Sequence, residues 1–308
     1  MPLSVALTGA SGFIGGVLAA RLRENGYQVR ALLRSKTHQP DLEAIGVEVI
    51  HGTLGHLKNV KNLVHSCDVV IHCAGAIRGR RQEDFYEANV AAIAHLSQAC
   101  RTLRPPPKFI LISSLAAREP SLSTYAWSKR EGELTLIREA GDLSWVIFRP
   151  PAVYGPKDQS LRPLFQLMQW GIGIQLSPQI SRFSLIHVED FAGAIMAWIT
   201  KGKPSGHLFE VDDGFPGGYT WDEVFNSSQQ PVRFRVSIPQ LALRMAALFN
   251  EKSSALLGYP PLLTKGKVAE LQHTNWVCDT RETFQLLDWH PQISLKTGLR
   301  QLLTSDSL

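Results

Sequence analysis

Six short apolar runs punctuate the first half of the chain: 3–9 (LSVALTG), 28–33 (QVRALL), 47–52 (VEVIHG), 68–75 (DVVIHCAG), 108–114 (KFILISS) and 144–150 (SWVIFRP). Each is nearly continuous in Val, Ile and Leu instead of alternating with polar residues. Runs of that kind mark strands buried on both faces, as in a parallel sheet. Between them, apolar positions recur with helical spacing. Segment 12–25 stops at Asn25-Gly26, a helix terminator. Segments 83–103 and 121–140 are longer, and the first is closed by Pro105-Pro106-Pro107. Strand and helix in regular alternation, joined by right-handed crossovers, predict an α/β fold with a Rossmann-like doubly wound parallel sheet.

The rhythm breaks after 149–156 (RPPAVYGP), where Pro and Gly become frequent. The expected division is a first domain over 1–156, rejoined by 184–212, and a smaller C-terminal substrate-binding lobe over 157–183 and 213–308. The returning pieces are a helix at 188–200 and a strand at 207–211. Thr220-x-x-Glu223 reads as a capping box opening another helix. The aromatics of this region, Trp170, Phe183, Trp221, Phe225, Phe234, Tyr259, Trp276 and Trp289, are expected mostly in the core of the smaller lobe.

Composition narrows the class. With 308 residues, 44% hydrophobic and 19% charged, the chain is an ordinary globular protein. No apolar run approaches a bilayer span, and no basic flank precedes an apolar stretch at the N-terminus. No membrane partner is therefore expected. Cys67, Cys73, Cys100 and Cys278 are scattered, without C-x-x-C or metal-ligand spacing, which fits reduced thiols in a cytoplasmic protein and no metal site. The net charge of +5 mildly favours anionic ligands. Its dispersal, apart from Arg78-Gly-Arg80-Arg81, argues against a nucleic-acid partner.

Candidate chemistry begins at LTGASGFIGG, which follows the first strand and opens the first helix. Gly9, Gly12 and Gly15 let backbone N–H groups approach a pyrophosphate, and the helix N-terminus adds partial positive charge. About 20 residues on, an acid at the end of the second strand would grip ribose hydroxyls. Here that strand ends RALLRS, with Leu33 before Arg34. An arginine pairs with a 2′-phosphate that an acid would repel, so the predicted cofactor is NADP(H) over NAD(H). Arg34 is the main contact, with Arg30 and Lys36 as weaker candidates.

Together, TGASGFIG (8–15), VIHCAG (70–75), NV (89–90), ILISS (110–114), YAWSK (125–129), RPPAVYGP (149–156) and SLIHVEDFAGAI (184–195) resemble the extended short-chain dehydrogenase/reductase family, also called the NAD-dependent epimerase/dehydratase family. They occur in that family's order and spacing, over roughly the first two thirds of the chain. The resemblance implies that Tyr125 is the general acid/base, that Lys129 activates it, and that Ser114 holds the substrate oxygen, with Ser113 as the fallback. A free tyrosine has a pKa near 10, so work near neutrality asks for a fall of roughly 3 units, or about 4 kcal/mol. An ammonium one helical turn away supplies part of that. The resemblance also assigns Ser11, Phe13, Ile14, Thr53, Leu54, Cys73, Ala74, Gly75, Asn89, Pro150 and Val153 to the cofactor, beside the glycines, Tyr125 and Lys129.

Three departures from that family's pattern matter, and the first two point away from a nucleotide-sugar substrate. Leu115-Ala116 follow Ser114, where sugar-nucleotide dehydratases carry an Asp-Glu pair. Ala152 stands where sugar-nucleotide epimerases usually place an Asn, and Arg182 is one position away from their usual arginine. Thr53 replaces an Asp near the adenine. The leading expectation is thus an NADP(H)-dependent oxidoreductase acting on a small-molecule carbonyl or alcohol. The alternative is a nucleotide-sugar epimerase with tightly bound NAD(P). A non-catalytic dinucleotide sensor fits less well, because the Tyr-Lys pair is retained. The helices at 83–103 and 121–140 offer a face for pairing with a second copy.

Overall fold

The computed structural model describes residues 2–304. The chain divides into two compact units, the first comprising Met1–Pro120, Thr124–Arg149 and Ile195–Phe209, the second Ser121–Ser123, Pro150–Ala194 and Glu210–Leu308.

In the first unit the predicted strands appear as β1 (Ser4–Thr8), β2 (Gln28–Leu33), β3 (Glu48–His51), β4 (Val69–His72), β5 (Lys108–Ile112) and β6 (Trp145–Arg149). A further strand, His207–Glu210, lies at one edge, giving the order His207–Glu210, β6, β5, β4, β1, β2, β3. Pairing from β3 across to β6 is parallel throughout. All four residues of β4 are buried, as a strand covered on both faces requires. The strand order reverses between β1 and β4, the switch point at which open α/β sheets bind ligands beyond their strand ends.

The helices of this unit are α1 (Phe13–Glu24), α2 (Gln39–Ala44), α3 (Leu57–Val64), α4 (Gln82–Tyr86), α5 (Ala92–Arg101) and α6 (Thr124–Glu139). The chain leaves α1 through Gly26, whose φ of +80° suits glycine. Leu63, Val70, Ile93, Leu96, Phe109 and Leu136 form part of one buried cluster between helices and sheet. Between α4 and α5 lies a π-helical turn, Glu87–Ala91, so the predicted long helix is continuous but locally widened. On α6, a Cβ added at Gly132 would strike the carbonyl oxygen of Asn89 in that turn. Glycine there permits the close approach.

The second unit is built from three short parallel pairs: Ala152–Tyr154 with Leu185–His187, Ile172–Gln175 with Phe234–Ser237, and Arg182–Phe183 with Asn275–Trp276. Residues 150–156 and 184–194, both expected with the first domain, fall in this unit, where Ala152–Tyr154 and Leu185–His187 pair with each other. The piece in the first unit is Ile195–Phe209. The main core of the second unit joins Tyr154, Phe165, Met168, Leu185, Phe225 and Leu299. The capping box forms: Thr220 Oγ1 accepts from Glu223 N at 3.3 Å and Glu223 Oε2 from Thr220 N at 2.7 Å. The aromatic expectation fails at two positions. Trp170 and Phe234 are 74% and 69% exposed, since neither the turn entering Ile172–Gln175 nor its partner strand is covered by the unit's own core.

Candidate active site

The glycine loop closes on β4. Gly9 has φ +77°, and a Cβ on it would lie 2.6 Å from Ala74 N, so only glycine fits. A Cβ at Gly15 would collide with the Gly9 carbonyl. Gly12 N donates to Gly9 O at 2.9 Å, and Gly12 caps α1 without any side-chain hydrogen bond. The first turn of α1 has no acidic residue. Ser11, Phe13 and Ile14 thus border a helix start whose N–H groups are uncapped by side chains, the arrangement that receives a phosphate. The cradle that a Cβ would fill fits a dinucleotide.

At the end of β2, Arg34 is exposed, and no hydrogen bond or ion pair holds it among the described residues. Arg30 differs. Its Nε donates to Glu48 Oε2 at 2.9 Å and its Nη1 to His65 O at 2.8 Å, so it is committed to β3 and the end of α3 and is set aside as a phosphate contact. Lys36 is exposed beside Arg34. Thr53 follows β3 and is exposed, while the carbonyl of half-buried Leu54 pairs with His95 Nδ1 at 2.8 Å.

Beyond β4, Thr8 Oγ1 accepts from Ala74 N at 3.1 Å and pairs with His72 Nδ1 at 2.8 Å. Burial, with Lys129 nearby, pushes His72 down to about 3, so its ring is neutral. Burial pushes the Cys73 thiol up to about 12, so it is no nucleophile. Asn89 clamps the loop after Gly75: its Oδ1 accepts from Ala76 N and its Nδ2 donates to Ala76 O, both at 2.9 Å. A Cβ on Gly75 would sit 2.6 Å from Asn89 Oδ1 and 3.5 Å from Lys129 Nζ, which brings this loop against the lysine.

The YAWSK run occupies the first turns of α6. Ala126 and Ser128 are fully buried. Ser128 Oγ donates to Tyr125 O at 2.8 Å and accepts from Asn89 Nδ2 at 2.8 Å, pinning the helix start to the π-helical turn. Half-buried Tyr125 and Lys129 lie one turn apart, hence on one face. Lys129 Nζ donates to Ile112 O, the last residue of β5, at 2.9 Å. Burial lowers its pKa to about 8, opposed by Cys73 and Glu133.

The two serines after β5 differ in what they touch. Ser113 is buried, and its Oγ donates to Glu133 Oε1 at 2.6 Å. Half-buried Ser114 only caps the following short turn, its Oγ accepting from Ala116 N at 3.2 Å. Glu133 is fully buried and also receives Arg149 Nε at 2.7 Å, Arg149 Nη2 at 2.5 Å and Arg130 Nη1 at 3.2 Å. Sequence reasoning missed this network. Its signal was an acid four residues beyond the lysine, together with an arginine ending an otherwise apolar strand. Pro150 and Val153, assigned to the cofactor by resemblance, lie in the second unit, Pro150 directly after β6 and Val153 opposite Ile186.

A Gly-rich turn between β1 and α1, with Lys129 on the last carbonyl of β5 and Tyr125 one helical turn before it, fits a dinucleotide-dependent enzyme of the short-chain dehydrogenase/reductase type. The chain belongs to the NAD dependent epimerase/dehydratase family, whose model matches residues 5–211. It is 37% identical over 275 residues to the ceramide reductase of Caulobacter vibrioides (strain NA1000 / CB15N), covering 88% of this chain and 85% of that protein. It is 25% identical over 347 residues to the 2-alkyl-3-oxoalkanoate reductase of Stenotrophomonas maltophilia (strain K279a), covering 99% of this chain and all of that one. Its fold is shared with the UDP-glucuronic acid 4-epimerase of Bacillus cereus, solved with UDP-glucuronic acid and NAD, at TM-score 0.76 and 18% identity over 99% of both chains.

Proposed function

We propose that this protein is an NADP(H)-dependent reductase of apolar, long-chain carbonyl compounds. The observation that carries the chemistry is Lys129, held by the Ile112 carbonyl one turn from Tyr125 and at the end of the strand that presents Ser114. The dinucleotide would be held by the Gly9–Gly15 turn at its pyrophosphate and by Arg34 at its 2′-phosphate. When bound, it supplies the hydride. The rest falls to the chain. Ser114 Oγ donates a hydrogen bond to the carbonyl oxygen and orients it. Tyr125 gives its phenolic proton to that oxygen as negative charge develops there. The Lys129 ammonium makes the phenol more acidic and stabilises the phenolate left behind.

Three features favour an apolar substrate. Leu115-Ala116 provide no acid or base for dehydration, Ala152 provides no polar contact for a nucleotide diphosphate, and the two reductases above are named for ceramide and for a 2-alkyl-3-oxoalkanoate. The four free thiols support a cytoplasmic setting. The test is NADPH oxidation against long-chain 3-oxo compounds and a panel of UDP- and TDP-sugars. Turnover of the first group, lost in Tyr125→Phe, is expected. Interconversion of sugar epimers without net NADPH consumption would replace this reading with the epimerase one.

A further inference from the structure

The second unit carries an apolar surface that its own fold leaves uncovered. Gln240–Leu257 is a helix of 18 residues. Its buried side, Leu243, Ala247 and Ser254, faces a small cluster with Val268. The outer side of a surface helix is normally polar. Here Leu241 (72% exposed), Met245 (60%) and Phe249 (76%) recur every four residues and so share one outward face. Leu256, 86% exposed, falls two turns beyond Phe249 on that same face. The helix is apolar on both sides, and only one side is needed for its packing.

The stretch of chain that carries this face is predominantly basic. Between 233 and 267 the chain has six basic residues (Arg233, Arg235, Arg244, Lys252, Lys265, Lys267) and one acid, Glu251. Six minus one gives +5, the formal net charge of the entire chain. Glu251 Oε1 is taken by Lys265 N at 2.8 Å. Arg235 pairs with Asp222, and Lys267 with Glu270. The side chains of Arg233, Arg244, Lys252 and Lys265 have no acidic partner among the described residues. An apolar stripe with a basic surround is the composition of a helix that lies in a membrane interface and is drawn to anionic headgroups. No helix among the described residues is long and apolar enough to cross a membrane.

We propose that the Gln240–Leu257 helix and its basic surround dock this protein on an anionic lipid bilayer. The expectation of no membrane partner came from span length, which an interfacial helix does not require. Docking would bring the enzyme to the phase that holds long-chain carbonyl substrates. That consequence rests on the reductase reading, whereas the docking does not.

The test is flotation of the full chain with vesicles of phosphatidylcholine plus phosphatidylglycerol, and with phosphatidylcholine alone. The protein should float with the anionic vesicles, less with the neutral ones, and progressively less as ionic strength rises. The triple variant Leu241→Ser, Met245→Ser, Phe249→Ser should lower partition by about tenfold or more. Its NADPH binding should be unchanged, which reports that it is folded. Undiminished flotation of the triple variant would overturn the proposal. So would a wild-type protein that binds neither vesicle, including one that sediments as a dimer which the triple variant dissociates; the face would then belong to a second copy. Failure of docking would leave reduction of a soluble short-chain ketone intact, and failure of the reductase reading would leave flotation intact.

Discussion

Replacing Glu133 by Gln keeps the shape of the side chain and removes its charge. The consequence follows from what Glu133 holds. It is fully buried, it receives two hydrogen bonds from the Arg149 guanidinium, and Arg149 is itself only 7% exposed. Breaking a buried pair from one side leaves an uncompensated charge, at a cost of about 3–5 kcal/mol. That is a large share of the roughly 5–15 kcal/mol by which domains are stable. At about 2–4 °C per kcal/mol, the melting temperature should fall by roughly 10 °C. Thermal melting followed by circular dichroism at neutral pH reads this directly. The double variant Glu133→Leu, Arg149→Met replaces both charges with apolar groups and should recover much of the loss. A Glu133→Gln protein melting within about 2 °C of wild type would refute the claim that this network ties α6 to the ends of β5 and β6.

The same network separates the two serines: Ser113→Ala should lower melting temperature but retain turnover, while Ser114→Ala should melt normally and lose about tenfold or more in kcat/KM. Arg34→Ala should weaken NADPH binding by about tenfold or more and leave NADH nearly unchanged, measured by fluorescence titration, because only NADPH carries the phosphate. Lys129 has a pKa lowered from 10.5 to about 8, so the cost of holding its ammonium is present below about 8 and is relieved as pH rises toward 10.5, making its stability contribution rise through that window. Activity should move the opposite way: kcat/KM should fall as pH passes about 8, and Lys129→Arg, which stays charged, should shift that limb upward.

Much of the first unit was legible because buried parallel strands read as unbroken apolar runs. The six predicted runs and the six strands agree to within a few residues at each end. The glycine turn was legible for a related reason, since only glycine fits where backbone meets backbone at Gly9 and Gly15. Other features depend on partners distant in sequence. Arg30 and Arg34 look alike along the chain, but Arg30 faces Glu48 on a neighbouring strand and Arg34 lies past the strand end. Ser113 and Ser114 are distinguished only by Glu133, twenty residues on from Ser113. The outer face of Gln240–Leu257 was hidden by its own composition, because an apolar helix reads as core until the structure leaves one side bare.

The most direct measurement is the fate of the hydride. NADPH doubly deuterated at nicotinamide C4 would be incubated with the protein and a long-chain 3-oxo substrate, and the product examined by mass. One deuterium on the new carbinol carbon, absent with Tyr125→Phe, is the predicted result. An unlabelled product, or NADPH left unconsumed in that mixture, would contradict it.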